Sequence, residues 1–214
     1  MGFRVLVVGG TGQVGSALVR ALLAASSCTE VVMVNRRTSP LAAEARLRQV
    51  IMDTSAETFS SEIAELARAC SAPGEPLYAA SCIGIGKGSQ QWSEEDIKRL
   101  EIGVVGAFAR GCLAAGVERF GLLSAAGSSA KSWIRYARIM SEKEDAVRSL
   151  GFKRLQFFAP ASLRVTRTPR GFLLCWGGSF QDRLGRLIRT ISVGPLSVNF
   201  STGKTARRSW KMLQ

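Results

Sequence analysis

Residues 3–23 read FRVLVV, GGTGQVG and SALVRALL, in that order. The first run is apolar and rich in β-branched residues, the second carries Gly9, Gly12 and Gly15, and the third has apolar residues at helical spacing. This succession is typical of a buried strand, a tight glycine turn and a helix that packs back on the strand. It predicts a cradle for the diphosphate of a dinucleotide.

Each glycine has a distinct expected role in such a cradle. Gly9 permits the tight turn, Gly12 lets the backbone approach a pyrophosphate, and Gly15 lets the helix pack closely on its strand. Gln13 and Val14 lie in the first turn of the helix, whose N-terminus attracts phosphate. The competing interpretation is a glycine turn that holds no ligand.

The end of the second strand predicts which dinucleotide is bound. The run VVMV over residues 31–34 is followed by Asn35, Arg36 and Arg37. A site for NAD normally has an acidic residue here to bind the ribose 2′-hydroxyl, whereas arginine accommodates a 2′-phosphate. The sequence therefore favours NADP(H) over NAD(H).

Two further loops are expected to line the same site. A third short strand, residues 49–52, ends at Asp53, which either accepts a hydrogen bond from the adenine amine or is the N-cap of the next helix. A buried strand over residues 77–82 opens into a glycine-rich loop with Cys82 and Gly84. Ligands of open α/β sheets bind at the carboxyl ends of the strands.

Strands and helices alternate along the rest of the chain. Helices are expected over 57–69, 93–116 and 133–150, and strands over 119–124 and 155–158. The alternation predicts an α/β, Rossmann-like, doubly wound parallel sheet for residues 1–163. Residues 164–214 then form a basic C-terminal extension.

Composition excludes several classes of site. The chain has no histidine, and its five cysteines lack paired spacing, so neither a metal site nor a disulfide framework is expected. No apolar run approaches the length of a membrane span.

Positive charge is concentrated in the extension. Residues 1–151 carry 17 basic and 15 acidic side chains, whereas residues 152–214 carry 12 basic side chains and one acidic one, Asp182. Apolar residues recur at helical intervals over 179–191, and a further basic cluster surrounds Trp210. The extension is therefore expected to dock on an anionic surface of a protein, a lipid layer or RNA, although a basic helix that covers the domain would have the same apolar pattern.

These motifs together resemble the atypical short-chain dehydrogenase/reductases, and within them the Tat-interacting oxidoreductase branch. The resemblance rests on the glycine pattern, Arg36 and Arg37, Asp53, the segment AGVERF (115–120) and Tyr136 twelve residues after Ser124. It implies a dinucleotide site formed by Gly9, Gly12, Gln13, Val14, Arg36, Arg37, Asp53, Cys82 and Gly84. It also implies catalytic positions for Ser124 and Tyr136.

The chain departs from that family at positions that take part in catalysis. The family has a lysine one helical turn after the tyrosine, where its charge lowers the tyrosine pKa and its donors hold the nicotinamide ribose. Met140 occupies this position. Lys143 lies on nearly the same face, but seven residues of helix rise about 10 Å, so it is expected to overshoot the site. Relatives also carry Arg-Pro-Gly where this chain has APA (159–161).

Two functional hypotheses follow. The favoured one is a catalytically inactive protein whose bound NADP(H) is structural and whose basic extension docks it into a larger mitochondrial assembly, as in the nucleotide-binding accessory subunit of respiratory complex I that this chain resembles. The alternative is a slow NADPH-dependent reductase in which neutral Tyr136 protonates a reduced carbonyl. A subunit of the mitochondrial ribosome or another RNA-associated protein would equally suit the charge, and a cytoplasmic location is the alternative to a mitochondrial one.

Overall fold

The computed structural model describes residues 2–39, 45–85 and 89–159, together with two strands, Val165–Thr168 and Gly171–Leu174. Six strands form one parallel sheet: β1 (Phe3–Val8), β2 (Cys28–Asn35), β3 (Leu47–Ile51), β4 (Leu77–Ser81), β5 (Arg119–Leu123) and β6 (Arg154–Phe158). Their order across the sheet is β3-β2-β1-β4-β5-β6. Strands β2 and β3 are therefore added on one side of β1, and strands β4, β5 and β6 on the other side. This confirms the predicted doubly wound, Rossmann-like sheet.

Helices connect the strands on both faces of the sheet. They are α1 (Gln13–Ala24), α2 (Phe59–Cys70), α3 (Glu94–Lys98), α4 (Val105–Ala114) and α5 (Arg135–Arg148). A short 3₁₀ turn, Ser89–Gln91, precedes α3. These crossovers are what parallel strands require.

Alternate residues of β1 face two separate apolar layers. Val5 and Val7 pack with the buried face of α1, whereas Leu6 and Val8 pack with α2 and α4. The side chains of β1 and of most of β2 are therefore buried on both faces. This explains why the two strands read as continuous apolar runs rather than as alternating patterns.

The predicted helix over 93–116 begins where expected but is not uniform. Ser93 is its N-cap: the Ser93 hydroxyl accepts from the Asp96 amide at 3.0 Å and donates to the Asp96 carboxylate at 2.7 Å. Between α3 and α4 the chain forms a π-helical segment, Arg99–Val104. The prediction of one uninterrupted helix was wrong in this respect, because Ile97, Val104 and Phe108 recur at intervals that an α-helix also has and gave no sign of the wider turn.

Beyond β6 the structure describes only an antiparallel hairpin, formed by β7 (Val165–Thr168) and β8 (Gly171–Leu174). The hairpin was not predicted. Most of the motif at 159–161, the expected amphipathic helix over 179–191 and the basic cluster around Trp210 lie outside the described residues.

Helices α2 and α4 approach each other at Gly111. A Cβ atom on Gly111 would lie 2.4 Å from the Ser60 carbonyl oxygen and 2.8 Å from the Ile63 Cβ. Both are atoms of α2 that cannot move aside alone, so this helix contact requires glycine.

We expect Gly111→Ala to lower the free energy of unfolding by about 1–3 kcal/mol, because the added methyl group separates the two helices. Denaturant unfolding followed by circular dichroism measures the change. Gly106→Ala on the same helix is the matched control, since its Cβ would meet only the mobile end of the Arg110 side chain. Equal losses in the two variants would contradict the close-contact argument.

Candidate functional site

The carboxyl ends of β1, β2 and β4 converge on one side of the sheet. The turn after β1 contains Gly9, whose φ of +76° lies in the left-handed region. A Cβ on Gly9 would be 2.7 Å from the Cys82 carbonyl carbon and from the Ile83 nitrogen. Only glycine fits here, because the turn is pressed against the loop that follows β4.

Helix α1 starts directly from this turn. Gly12 is its N-cap and makes no side-chain cap hydrogen bond, and the first turn of α1 holds no acidic residue. A Cβ on Gly15 would lie 2.1 Å from the Gly9 carbonyl oxygen, which accounts for glycine where the helix packs on the strand. The helix thus presents backbone N–H groups and the positive end of its dipole to this edge of the sheet.

A cavity of about 180 Å³ lies beside the turn. It is lined by Val8, Gly9, Thr11, Gly12, Val34, Asn35, Arg36, Thr54, Cys82, Ile83, Gly84 and Leu100. Five of the nine residues predicted to bind the cofactor line it: Gly9, Gly12, Arg36, Cys82 and Gly84.

The other four predicted residues lie outside this lining. Gln13 is exposed on the first turn of α1, and Arg37 is exposed beside Arg36. Val14 is buried and lines a smaller apolar pocket with Leu18 and Phe158. Asp53 is exposed next to Thr54, which does line the cavity.

Asp53 has a local partner. Its carboxylate accepts from the Ser55 amide at 2.9 Å and from the Ser55 hydroxyl at 2.6 Å. These hydrogen bonds hold the pKa of Asp53 below its usual range, with a smaller contribution from the Arg36 charge. The N-cap of α2 is Thr58, so the alternative interpretation of Asp53 as that cap was wrong. The adenine contact stays a prediction.

A network that the sequence did not reveal shapes the loop after β2. The Gln49 side-chain oxygen accepts from the Asn35 amide group at 3.2 Å and from the Ser39 backbone N–H at 2.9 Å. The Gln49 amide group in turn donates to the Ser39 carbonyl at 3.2 Å. Gln49 thereby anchors the loop that carries Arg36.

The same network leaves one buried acceptor unused. Among the residues that the structure describes, the Asn35 side-chain oxygen has no hydrogen-bond partner, although Asn35 lines the cavity. Such an acceptor suits a donor from a ligand, for example a ribose hydroxyl. The glycine turn, the open helix end, Arg36 and this orphaned oxygen together fit a dinucleotide.

The two predicted catalytic hydroxyls have separate partners. The Ser124 hydroxyl, after β5, donates to the Glu144 carboxylate and lies 3.2 Å from the Ser128 hydroxyl. The Tyr136 hydroxyl, on α5, donates to Glu101 Oε1 at 3.0 Å. Burial, and then the Glu101 charge and hydrogen bond, raise the pKa of Tyr136 above its ordinary value. Both hydroxyl protons are therefore directed at carboxylates of the protein itself.

The position of the family lysine is apolar. Met140 is 1% exposed and packs with Ile97 and Ile139, and Tyr136 lies against the same cluster.

The Lys143 side chain ends on the carboxylate that Tyr136 also contacts. Its ammonium lies 2.7 Å from Glu101 Oε2. Helical side chains lean toward the N-terminus and lysine has a long stem, so the ammonium reaches back toward Glu101. The expected overshoot of the catalytic position itself stays a prediction.

Glu101 was missed, although the sequence carried a signal for it. It occurs among Ile97, Val104 and Phe108 on the apolar face of the predicted helix 93–116. An acidic residue on a buried face needs a buried partner. Glu144 carried no comparable signal, because it lies in a charged run.

The described residues offer neither a metal site nor a membrane-spanning helix. Within the described ranges, no group of three or more histidine, cysteine or acidic residues could hold a metal ion. In the same part of the chain, none of the helices has the length and apolarity that a bilayer crossing needs.

Curated relatives come from fungi. The protein fmp52-1, mitochondrial, of Aspergillus oryzae is 30% identical over 163 residues, which cover 75% of this chain and 66% of the relative. The protein fmp52, mitochondrial, of Emericella nidulans is 25% identical over 204 residues, which cover 94% of this chain and 84% of the relative. The mitochondrial location expected from the sequence agrees with these names.

Solved structures share the fold. The UDP-glucose 4-epimerase of Thermotoga maritima matches with a TM-score of 0.58 at 15% identity, over 79% of this chain and 59% of the epimerase. DesIV, the dTDP-glucose 4,6-dehydratase of Streptomyces venezuelae with NAD bound, matches with a TM-score of 0.57 at 20% identity, over 72% of this chain and 55% of the dehydratase. This chain therefore spans little more than half the length of these two enzymes.

A family model supports the same relationship on the sequence itself. Residues 5–128, from β1 to the loop after β5, match the NAD dependent epimerase/dehydratase family. This range contains the glycine turn, the loop with Arg36 and the loop after β4, which are the parts that line the cavity. The chain belongs to the NAD dependent epimerase/dehydratase family, and its Rossmann-like fold is consistent with the atypical short-chain dehydrogenase/reductase type expected from the sequence.

Proposed function

We propose that this protein binds NADP(H) in the cavity beside Gly9 and acts as a catalytically silent accessory protein in mitochondria. One observation carries the proposal. Ser124 and Tyr136 both donate their hydroxyl protons to carboxylates of the chain, while the neighbouring position 140 is an apolar methionine. Nucleotide binding is therefore retained in a site whose acid is engaged elsewhere.

Each part of the site has an expected role toward the nucleotide. The N-terminus of α1 and the Gly12 backbone would hold the diphosphate, since their N–H groups have no side-chain cap. Arg36 would bind the 2′-phosphate, and the Asn35 oxygen would accept from a ribose hydroxyl. When bound, NADPH supplies a hydride.

The engaged hydroxyls argue against use of that hydride on a carbonyl. A reductase must deliver a proton to the carbonyl oxygen, and the family tyrosine does so with help from a lysine charge. Here the Tyr136 hydroxyl would have to leave Glu101, and Lys143 is neutralised by the same carboxylate. The ion pair therefore leaves no net positive charge to stabilise a tyrosinate.

A slow NADPH-dependent carbonyl reductase is the second candidate. It is favoured by one observation: Tyr136 is half-buried with a raised pKa, so it keeps its proton at neutral pH and retains an acid to donate. The two candidates differ in turnover and not in nucleotide binding.

The proposed accessory role also depends on the basic extension. Its excess charge supports docking on an anionic surface, and the relatives named mitochondrial support a mitochondrial assembly, such as a respiratory complex, as the place. Mitochondrial ribosomal RNA is the competing anionic partner.

We expect the isolated protein to bind NADP(H) at least about tenfold more tightly than NAD(H), because a charge-assisted contact to the 2′-phosphate contributes about 1.5–3 kcal/mol. Calorimetric titration with the four nucleotides measures this preference. Arg36→Ala should remove most of it. Arg37→Ala is the matched control and should change it less, since Arg37 lies outside the cavity lining. Equal affinities of the wild type for NADP(H) and NAD(H) would contradict the role given to Arg36.

We expect the wild type to oxidise NADPH negligibly with a panel of aldehydes and ketones. Met140→Lys alone should destabilise the fold, because it adds a second buried cation beside a carboxylate that Lys143 already neutralises. The paired change Met140→Lys with Lys143→Met moves the cation instead and should raise turnover at saturating NADPH. Rapid NADPH oxidation by wild type that Tyr136→Phe abolishes would establish the reductase instead.

We expect neutralisation of the basic cluster to release the protein from its partner without changing nucleotide affinity. The variant replaces Lys204, Arg207, Arg208 and Lys211 by alanine in the full chain. Comigration with large complexes on native gels of mitochondrial extracts measures the release. The control replaces four exposed basic residues of the Rossmann domain: Arg20, Arg110, Lys131 and Lys153.

The salt dependence of the association identifies the partner class. A steep loss of binding with salt indicates RNA, and a shallow one indicates an acidic protein surface. Undiminished comigration of a chain truncated after Pro169 would refute docking through the extension.

A further inference from the structure

A buried ion pair lies behind the cavity. Lys143 Nζ and Glu101 Oε2 are 2.7 Å apart, and the two side chains are 1% and 0% exposed. Moving two charges out of water has a large desolvation cost, and an apolar pair of similar size is often as stable. Protein stability alone therefore does not explain why the chain has a charged pair at these two buried positions. The contacts of the pair indicate another role.

Both members of the pair bind the backbone of the loop after β4, residues 82–85, here called the β4 loop. Lys143 Nζ donates to the Ile83 carbonyl at 3.0 Å. Glu101 Oε1 accepts from the Ile85 N–H at 3.0 Å. The ion pair thus holds the loop by hydrogen bonds on either side of Gly84. A Cβ on Gly84 would lie 3.8 Å from Glu101 Oε1.

Three residues of the same loop line the cavity beside Gly9, where the dinucleotide is proposed to bind. Cys82, Ile83 and Gly84 belong to the lining, and so does Leu100, the neighbour of Glu101. The Gly9 turn presses on this loop, because its Cβ position is 2.7 Å from the Ile83 nitrogen. A shift of the β4 loop would therefore change the cavity wall and the glycine turn together.

We propose that Glu101 and Lys143 are positioning residues that hold the β4 loop in the conformation that accepts the dinucleotide. This inference rests on the proposed NADP(H) binding and adds to it the group that preorganises the site. Glu101 comes from the π-helical segment and Lys143 from α5, so the pair fixes the loop against two separate elements. Tyr136 contributes only a hydrogen bond to Glu101.

The test separates positioning from ordinary stabilisation. Lys143→Met leaves an unpaired buried carboxylate, so it should lower the melting temperature and weaken NADP⁺ binding about tenfold, the effect of one lost charge-assisted hydrogen bond. The paired variant Glu101→Met with Lys143→Met removes both charges. Its melting temperature should recover relative to Lys143→Met, whereas its NADP⁺ affinity should stay weak. Recovery of affinity together with stability would overturn the inference.

An exposed ion pair between the same parts of the chain is the matched control. Lys98 on α3 and Glu142 on α5 are 3.1 Å apart, but their side chains are 39% and 47% exposed. Lys98→Met with Glu142→Gln should leave NADP⁺ affinity unchanged. An equal loss of affinity in this control would also overturn the inference.

A second measurement on the nucleotide-free protein does not depend on the proposed function. The Ile85 amide donates to Glu101, so its hydrogen exchange should be slow in the wild type and faster in the paired Glu101→Met and Lys143→Met variant. If the wild type binds no dinucleotide, the proposed function fails. Faster exchange of the Ile85 amide in the paired variant would still show that Glu101 and Lys143 hold the β4 loop. Unchanged exchange of Ile85 would overturn the inference in either case.

Discussion

The candidate site depends on the contact between the Gly9 turn and the β4 loop. The two backbones approach so closely that no side chain fits at position 9. Because β1 and β4 are hydrogen-bonded neighbours in the sheet, this contact closes the gap between the two halves of the fold where the strand order reverses. The cavity, the open end of α1 and the loop that carries Arg36 surround this contact. The fold therefore positions a nucleotide site mainly through backbone geometry.

The two sides of the candidate site differ in what their residues contact. Glycines and backbone groups line the cavity as a dinucleotide site requires, whereas the residues expected to react are joined in two internal pairs. Hydrogen bonds between a hydroxyl and a carboxylate are strong when buried, since little water competes for the donor. The catalytic side of the site thus contributes to order within the protein, while the nucleotide side stays accessible. Glu101 links the two sides, because it accepts from the Tyr136 hydroxyl and from the Ile85 N–H of the β4 loop.

The sequence predicted the fold well because the signals for it are local. The apolar run before Gly9, the periodicity of α1 and the Ser93 cap each lie within a few residues, and the structure bears them out. The π-helical segment was not predicted, because the apolar residues around it keep intervals that an α-helix also has. The hairpin β7–β8 was also not predicted, because its strands are only four residues long.

The site was predicted less completely because its geometry depends on distant pairs. Glu101 and Lys143 are far apart in sequence, and no local pattern says that they meet. Gln49, on β3, likewise forms hydrogen bonds with Asn35 at the end of β2 and with Ser39 in the loop that follows. The cofactor roles of all nine predicted residues stay predictions, and four of those residues lie outside the cavity lining: Gln13, Val14, Arg37 and Asp53.

The buried ion pair also constrains how this chain can evolve. Removal of one partner of such a pair typically costs about 3–5 kcal/mol, a large share of the 5–15 kcal/mol that keeps a domain folded. A lysine at position 140 would add a second buried cation where Glu101 already has its counter-ion in Lys143. Moving the cation from position 143 to position 140 therefore requires two coupled substitutions, because either one alone leaves a buried charge without a partner.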